Sequence, residues 1–159
     1  MVEKLAASPI KITYMSSVKR GKHDKRFVGI PWRVVQSPQF ASLKSSEVKL
    51  LIDLLTQRNG ENNGSLTVSH AVLKKRGWAT SSLYRAYCSL VYKGFLIVTR
   101  QGWKVRGRAT MVAITWLGID EPNKFSYDEG VKPDATPLGY WCKDKSYWKH
   151  LPTLKPPEK

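Results

Sequence analysis

The sequence has no acid where it has much of its base. Between Asn62 and Ile119 there is not one Asp or Glu, although nine Lys and Arg fall in that stretch. Cysteine is nearly absent: Cys88 and Cys142 stand alone and far apart, at a spacing that fits no metal or redox motif, so reduced thiols are expected. The three histidines, His23, His70 and His150, are equally scattered, which argues against a catalytic triad or a zinc site. No run of roughly eighteen apolar residues occurs, so no membrane-spanning helix and no membrane partner are expected. The opening Met1-Val2-Glu3-Lys4-Leu5-Ala6-Ala7-Ser8-Pro9 has an acid where a secretory leader would be basic, and Lys11 comes too soon for a long apolar stretch. The expected compartment is therefore the cytoplasm.

Enzymatic signatures are missing as well. There is no Gly-x-Ser-x-Gly elbow, phosphate loop or His-Glu-x-x-His pattern. Glu47 and Asp53 lie on one helix but not on one face, and Asp120-Glu121 and Asp128-Glu129 are adjacent pairs in loop-like sequence. A two-metal nuclease, which needs convergent carboxylates, is a distant third reading. The expectation is a protein without catalytic residues, metal or cofactor.

What is present is charge of one sign. The 159 residues carry 27 Lys and Arg against 12 Asp and Glu, a net +15. Residues 1–26 contribute 7 − 2 = +5, residues 27–119 contribute 13 − 3 = +10, and residues 120–159 contribute 7 − 7 = 0. A folded domain this basic repels itself unless its partner is anionic. Nucleic acid is the commonest such partner, because phosphates attract Lys and Arg whatever the base sequence; by charge alone an anionic membrane surface is the other candidate.

This distribution divides the chain into three parts. Residues 1–26 read as a basic flexible arm ending in Lys19-Arg20-Gly21-Lys22-His23-Asp24-Lys25-Arg26. Residues 27–119 read as the folded domain, and residues 120–159 as a C-terminal extension rich in Pro, Lys, Asp and aromatics. At the start of the domain, Val34, Val35 and Phe40 are expected to pack onto its helices. A first long helix begins at Ser45 as N-cap, with Val48, Leu51, Ile52 and Leu55 as its apolar face. The run Asn59-Gly60-Glu61-Asn62-Asn63-Gly64 is a turn, and Ser65-Leu66 suits a short β-bridge.

Thr67 caps a second helix with Val68, Ala71, Val72 and Leu73 on its apolar side. That helix closes on Lys74-Lys75-Arg76 and stops at Gly77. After the tight link Trp78-Ala79, Thr80 caps a third helix in which Leu83, Ala86, Tyr87, Leu90 and Val91 repeat at helical spacing up to Gly94. The period then changes. Residues 95–100 and 109–116 read as strands, joined by the basic loop Gln101-Gly102-Trp103-Lys104-Val105-Arg106-Gly107-Arg108.

This element order is the winged-helix plan. The phrases Leu50-Leu51-Ile52-Asp53-Leu54-Leu55, Lys74-Lys75-Arg76-Gly77-Trp78 and Gly94-Phe95-Leu96-Ile97-Val98-Thr99-Arg100 resemble winged helix-turn-helix proteins of bacterial phages, prophages and mobile elements. The resemblance covers residues 43–119, roughly half the chain. It implies an α+β fold of three helices plus a β-hairpin wing, with residues 67–93 as the helix-turn-helix and 95–116 as the wing.

In that plan the third helix enters the DNA major groove by its N-terminal half. With Leu83, Ala86, Tyr87 and Leu90 inward, Ser81, Ser82, Tyr84, Arg85, Cys88 and Ser89 face out. Ser81, Ser82, Tyr84, Arg85 and Ser89 are the candidate base-facing residues. Arg85 leads, because a guanidinium pairs in bidentate fashion with guanine. Lys74, Lys75 and Arg76, with Arg100, Lys104, Arg106 and Arg108 on the wing, are the candidate phosphate contacts. Trp103 at the tip is expected to fold back onto the sheet.

The expected partner is double-stranded DNA, read by a transcriptional regulator or a replication-associated protein. Reading of half-sites suits a homodimer, although no coiled-coil heptad is present. The runner-up, kept open by the neutral aromatic C-terminal extension, is a protein-interaction module that inhibits a host nucleic-acid-handling machine.

Overall fold

The computed structural model describes residues 26–102 and 107–143. Among these the fold is mixed α+β, with five α-helices and one three-stranded antiparallel sheet. The basic arm up to residue 25, residues 103–106 and the chain from 144 onward lie outside the described residues.

Two four-residue helices come first, α1 (Trp32–Val35) and α2 (Pro38–Ala41). Ser37 separates them: its hydroxyl donates to the Val34 carbonyl and accepts from the Phe40 N–H, and Pro38 stands at the first helical position, where its missing donor costs nothing. Val34 is fully buried and Phe40 packs on the core, whereas Val35 is exposed.

Helix α3 (Ser45–Gln57) is the first long element. Its N-cap is Lys44 and not the expected Ser45. The cap works through Glu47, which reaches back to accept the Lys44 N–H at 2.9 Å and so satisfies a donor the helix cannot. The buried face consists of Leu50, Leu51, Leu54 and Leu55, while Ile52 is 40% exposed. The buried stripe is thus rotated from the expected one, because two acids, Glu47 and Asp53, lie on the buried side.

The turn after α3 is held by asparagines. Asn63 is fully enclosed; its amide donates to the carbonyls of Ile114 and Gly118 and accepts from the Ile114 N–H. Gly64 beside it has φ 120°, and a Cβ there would collide with the Tyr127 hydroxyl. Only glycine meets both demands.

Strand β1 (Leu66–Thr67) comes next, so Thr67 is a strand residue and not a helix cap. Helix α4 (His70–Leu73) runs directly into a 3-10 turn, Lys74–Arg76, that ends on Gly77 at φ 83°. Helix α5 (Thr80–Tyr92) starts after Ala79, with Thr80 inside its first turn and not capping it. It buries Leu83, Ala86, Leu90 and Val91, at the expected spacing.

Strands β2 (Leu96–Arg100) and β3 (Met111–Ile114) form an antiparallel hairpin, with Leu96 opposite Ile114 and Val98 opposite Val112. β1 pairs with the other edge of β3, giving the order β1-β3-β2. Alternate strand residues point to opposite faces. Leu96, Val98, Val112 and Ile114 face the helices and join Leu50, Leu54, Leu73, Leu90 and Phe95 in the main core. Ile97 and Ala113 face the other way, into a second cluster with Ile119 and Tyr140.

That second cluster exists because residues 119–142 return across the sheet. Ile119 and Asp134 bridge through paired backbone bonds, and the Gly139 N–H reaches the Thr115 carbonyl. The closing 3-10 turn, Tyr140–Cys142, places Trp141 in the main core, stacked on Phe95 with ring centres 6.3 Å apart. Phe95 also meets Phe40 and Trp116 edge-on. Cover on both faces accounts for the unbroken apolar run of β2.

Candidate nucleic-acid interface

The surface of interest is assembled from α3 outward. Asp53 is 3% exposed, yet it accepts from three side chains: Lys49 Nζ at 2.7 Å, Arg76 Nε at 2.6 Å and Trp78 Nε1 at 2.7 Å. Burial pushes its carboxyl pKa up, but these donors outweigh burial and hold it below its ordinary value. Lys49 also donates to the Arg76 carbonyl and lies over the Trp78 ring, 4.6 Å from its centre. One carboxylate thereby fixes the link between α4 and α5 to α3.

Glu47 does the same at the other end of α5. It accepts from Ser89 Oγ at 2.6 Å and from Lys93 Nζ at 2.7 Å, besides the Lys44 N–H. Burial again raises its pKa, and Lys93, Ser89 and the backbone together bring it below the ordinary carboxylate value. The same Ser89–Glu47 bond turns Ser89 toward α3, so this candidate base-facing residue does not lie on the open face.

The open face of α5 carries the other four. Ser81, Ser82 and Arg85 are exposed, and Tyr84 is 58% exposed. Tyr84 and the half-buried Cys88 share a side-chain hydrogen bond, which leads the causes that raise the Tyr84 pKa. Burial raises the Cys88 thiol above its ordinary value against the Tyr84 bond, so the thiol is protonated near neutrality. Lys74 and Lys75 stand exposed just before the Gly77 turn. Arg76, next to them, spends its Nε on Asp53 while its side chain stays 47% exposed.

The two described hairpin cations, both expected as phosphate contacts, each have a partner within the chain. Arg100 lies over the Phe125 ring, 4.8 Å from its centre. Arg108 donates from Nε to the Gln101 carbonyl and from an Nη to Asp128 at 2.7 Å. Lys104 and Arg106, with Trp103, lie outside the described residues.

Glu47, Asp53, Phe125 and Asp128 were not among the sequence candidates. Two of them left a signal. Glu47 sits three residues after the cap, the reach-back position of a capping box, and Lys49 and Asp53 sit four apart on one helix. Asp128 and Phe125 left none, because their partners are remote in the chain.

Among the described residues no cluster of His, Cys, Asp and Glu could hold a metal ion, and no helix is long and apolar enough to cross a membrane. No protein-family model, curated protein or solved structure matches the chain.

Proposed function

We propose that the chain is a winged helix-turn-helix protein that binds double-stranded DNA sequence-specifically in the cytoplasm, as a transcriptional regulator or replication-associated protein of a mobile element, without catalysis. The observation that carries this reading is the open N-terminal half of α5. Ser81, Ser82, Tyr84 and Arg85 lie there, with exposed Lys74 and Lys75 just before the Gly77 turn, in a stretch of chain without a single acid. The helix–turn–helix order of α4 and α5, and the strand order β1-β3-β2 with a hairpin after α5, support the winged arrangement. An α-helix fits the major groove, where the donors of α5 can meet base edges and the lysines can meet the flanking phosphates.

The test is binding of the protein to random duplex DNA across a salt series. A slope of log K against log salt of about −0.9 per phosphate contacted is expected, totalling several contacts. A preferred site should then emerge on selection from a random pool. No binding at low salt would reject the reading.

One observation favours the second reading, a protein-interaction module acting on a host nucleic-acid-handling machine. Phe27, Val28 and Trp32 are exposed apolar residues within one six-residue segment, the kind of side chain a protein partner would cover. Capture of one host protein in the absence of DNA is the outcome that would favour it.

A further inference from the structure

We propose that Asp128 is a positioning residue for the hairpin, and that Arg108 acts through it as a brace and not as a phosphate contact. This inference rests on the reading of the hairpin as a DNA-contacting wing.

The ladder between β2 and β3 ends at the pair Arg100 and Met111, and its register is irregular between Val98 and Arg100. A two-stranded ribbon running beyond a sheet is marginally stable by itself. What holds the next residues comes from the C-terminal return. Asp128 donates its backbone N–H to the Thr99 carbonyl at 2.9 Å. Its carboxylate accepts from the Gln101 N–H with one oxygen and from Arg108 with the other. Arg108 closes the ring by donating Nε to the Gln101 carbonyl at 2.9 Å. Gln101 leaves along one arm of the hairpin and Arg108 returns along the other, so one carboxylate ties both arms at the root.

Two neighbours tighten the same place. The Gly102 N–H donates to Thr110 Oγ1 at 3.0 Å, and a Cβ on Gly102 would meet the Thr110 nitrogen at 2.5 Å. Phe125, three residues before Asp128, carries Arg100 over its ring. The brace is local. The pair is partly solvated, with side-chain exposures of 39% for Arg108 and 26% for Asp128, so it adds little to global stability. A phosphate approaching Arg108 would meet the Asp128 carboxylate 2.7 Å from the guanidinium, and like charges repel.

The experiment uses the full chain and its D128N, R108Q and double variants, with a random duplex as probe. Wing competence becomes a fractional population, so each single variant should weaken binding roughly fivefold to tenfold. The double variant should be no worse than either single one, since both break one unit. The salt slope should stay at the parental value in all three. Amide hydrogen exchange at Gln101 and Gly102 should accelerate in D128N, while the thermal midpoint moves by no more than about 2 °C.

A salt slope reduced by about 0.9 in R108Q would identify a phosphate contact and overturn the proposal. Tighter binding by D128N would show a masked cation and overturn it too. So would accelerated exchange with unchanged affinity. If the parental chain binds no duplex, the DNA reading fails. Exchange then judges the brace alone: unchanged rates in D128N reject it, and accelerated rates uphold it.

Discussion

The indole nitrogen of Trp78 donates to Asp53 at 2.7 Å across a sequence separation of 25 residues. The residue that begins the link into α5 is thus tied to the middle of α3. Asp53 is the point at which three elements meet, and its partners Lys49 and Arg76 are about half exposed while it is buried.

Asp53→Ala should therefore destabilise the fold by about 3 kcal/mol, the low end for breaking a buried ion pair, because both cations can return to water. Trp78 Nε1 would be left buried without its acceptor, which by itself costs about 1–3 kcal/mol. Urea unfolding checks this; a loss below about 0.5 kcal/mol would show that the three donors find other partners.

Acid should weaken the same contacts. The pKa values of Glu47 and Asp53 are held below their ordinary values in the folded chain. Such groups contribute stability above their unfolded pKa and lose it as pH falls through the folded one. Urea midpoints should be level from about pH 7 to pH 5, then fall below about pH 4. In Asp53→Asn that fall should be shallower. An identical acid profile in the variant would remove Asp53 as a cause.

On DNA, Arg85→Ala should cost about 1–3 kcal/mol on a selected site and much less on random duplex, relaxing the preference at one base position. Lys75→Ala should weaken both equally and reduce the salt slope by about 0.9. Equal losses on both DNAs for Arg85→Ala would make Arg85 a phosphate contact.

Ser89→Ala separates two roles that look alike in the sequence. Its hydroxyl serves Glu47, so the variant should lose about 1 kcal/mol of stability and keep the DNA preference of the parent. A changed preference would return Ser89 to the reading face.

The C-terminal return should prove structural. Trp141→Ala removes the ring stacked on Phe95 and should cost about 3–5 kcal/mol. Calorimetry on the purified variant would show it as a large drop in thermal midpoint.

Much of this frame was legible in the sequence. Leu83, Ala86, Leu90 and Val91 announced α5, Gly77 and Gly94 marked its neighbourhood, and the β-branched run from Leu96 announced the sheet. The hidden parts are long-range. The true buried face of α3 contains acids, and no periodicity rule places Glu47 and Asp53 inside until Lys93, Trp78 and Arg76 arrive from elsewhere in the chain. Ser89 looked outward by helical angle but was taken by Glu47. The α5 surface showed because it lies on one element; the hairpin root did not, because it depends on a turn about twenty residues downstream of Arg108.

With Glu47 and Asp53 turned inward, Glu61 is the one acid among the described residues between 27 and 119 that faces solvent. The other exposed charged side chains there are Lys and Arg. The exposed charge of these residues is therefore almost all of one sign. Their attraction for polyanions such as heparin or nucleic acid is weakened by screening, so raising the salt concentration should elute the protein from them.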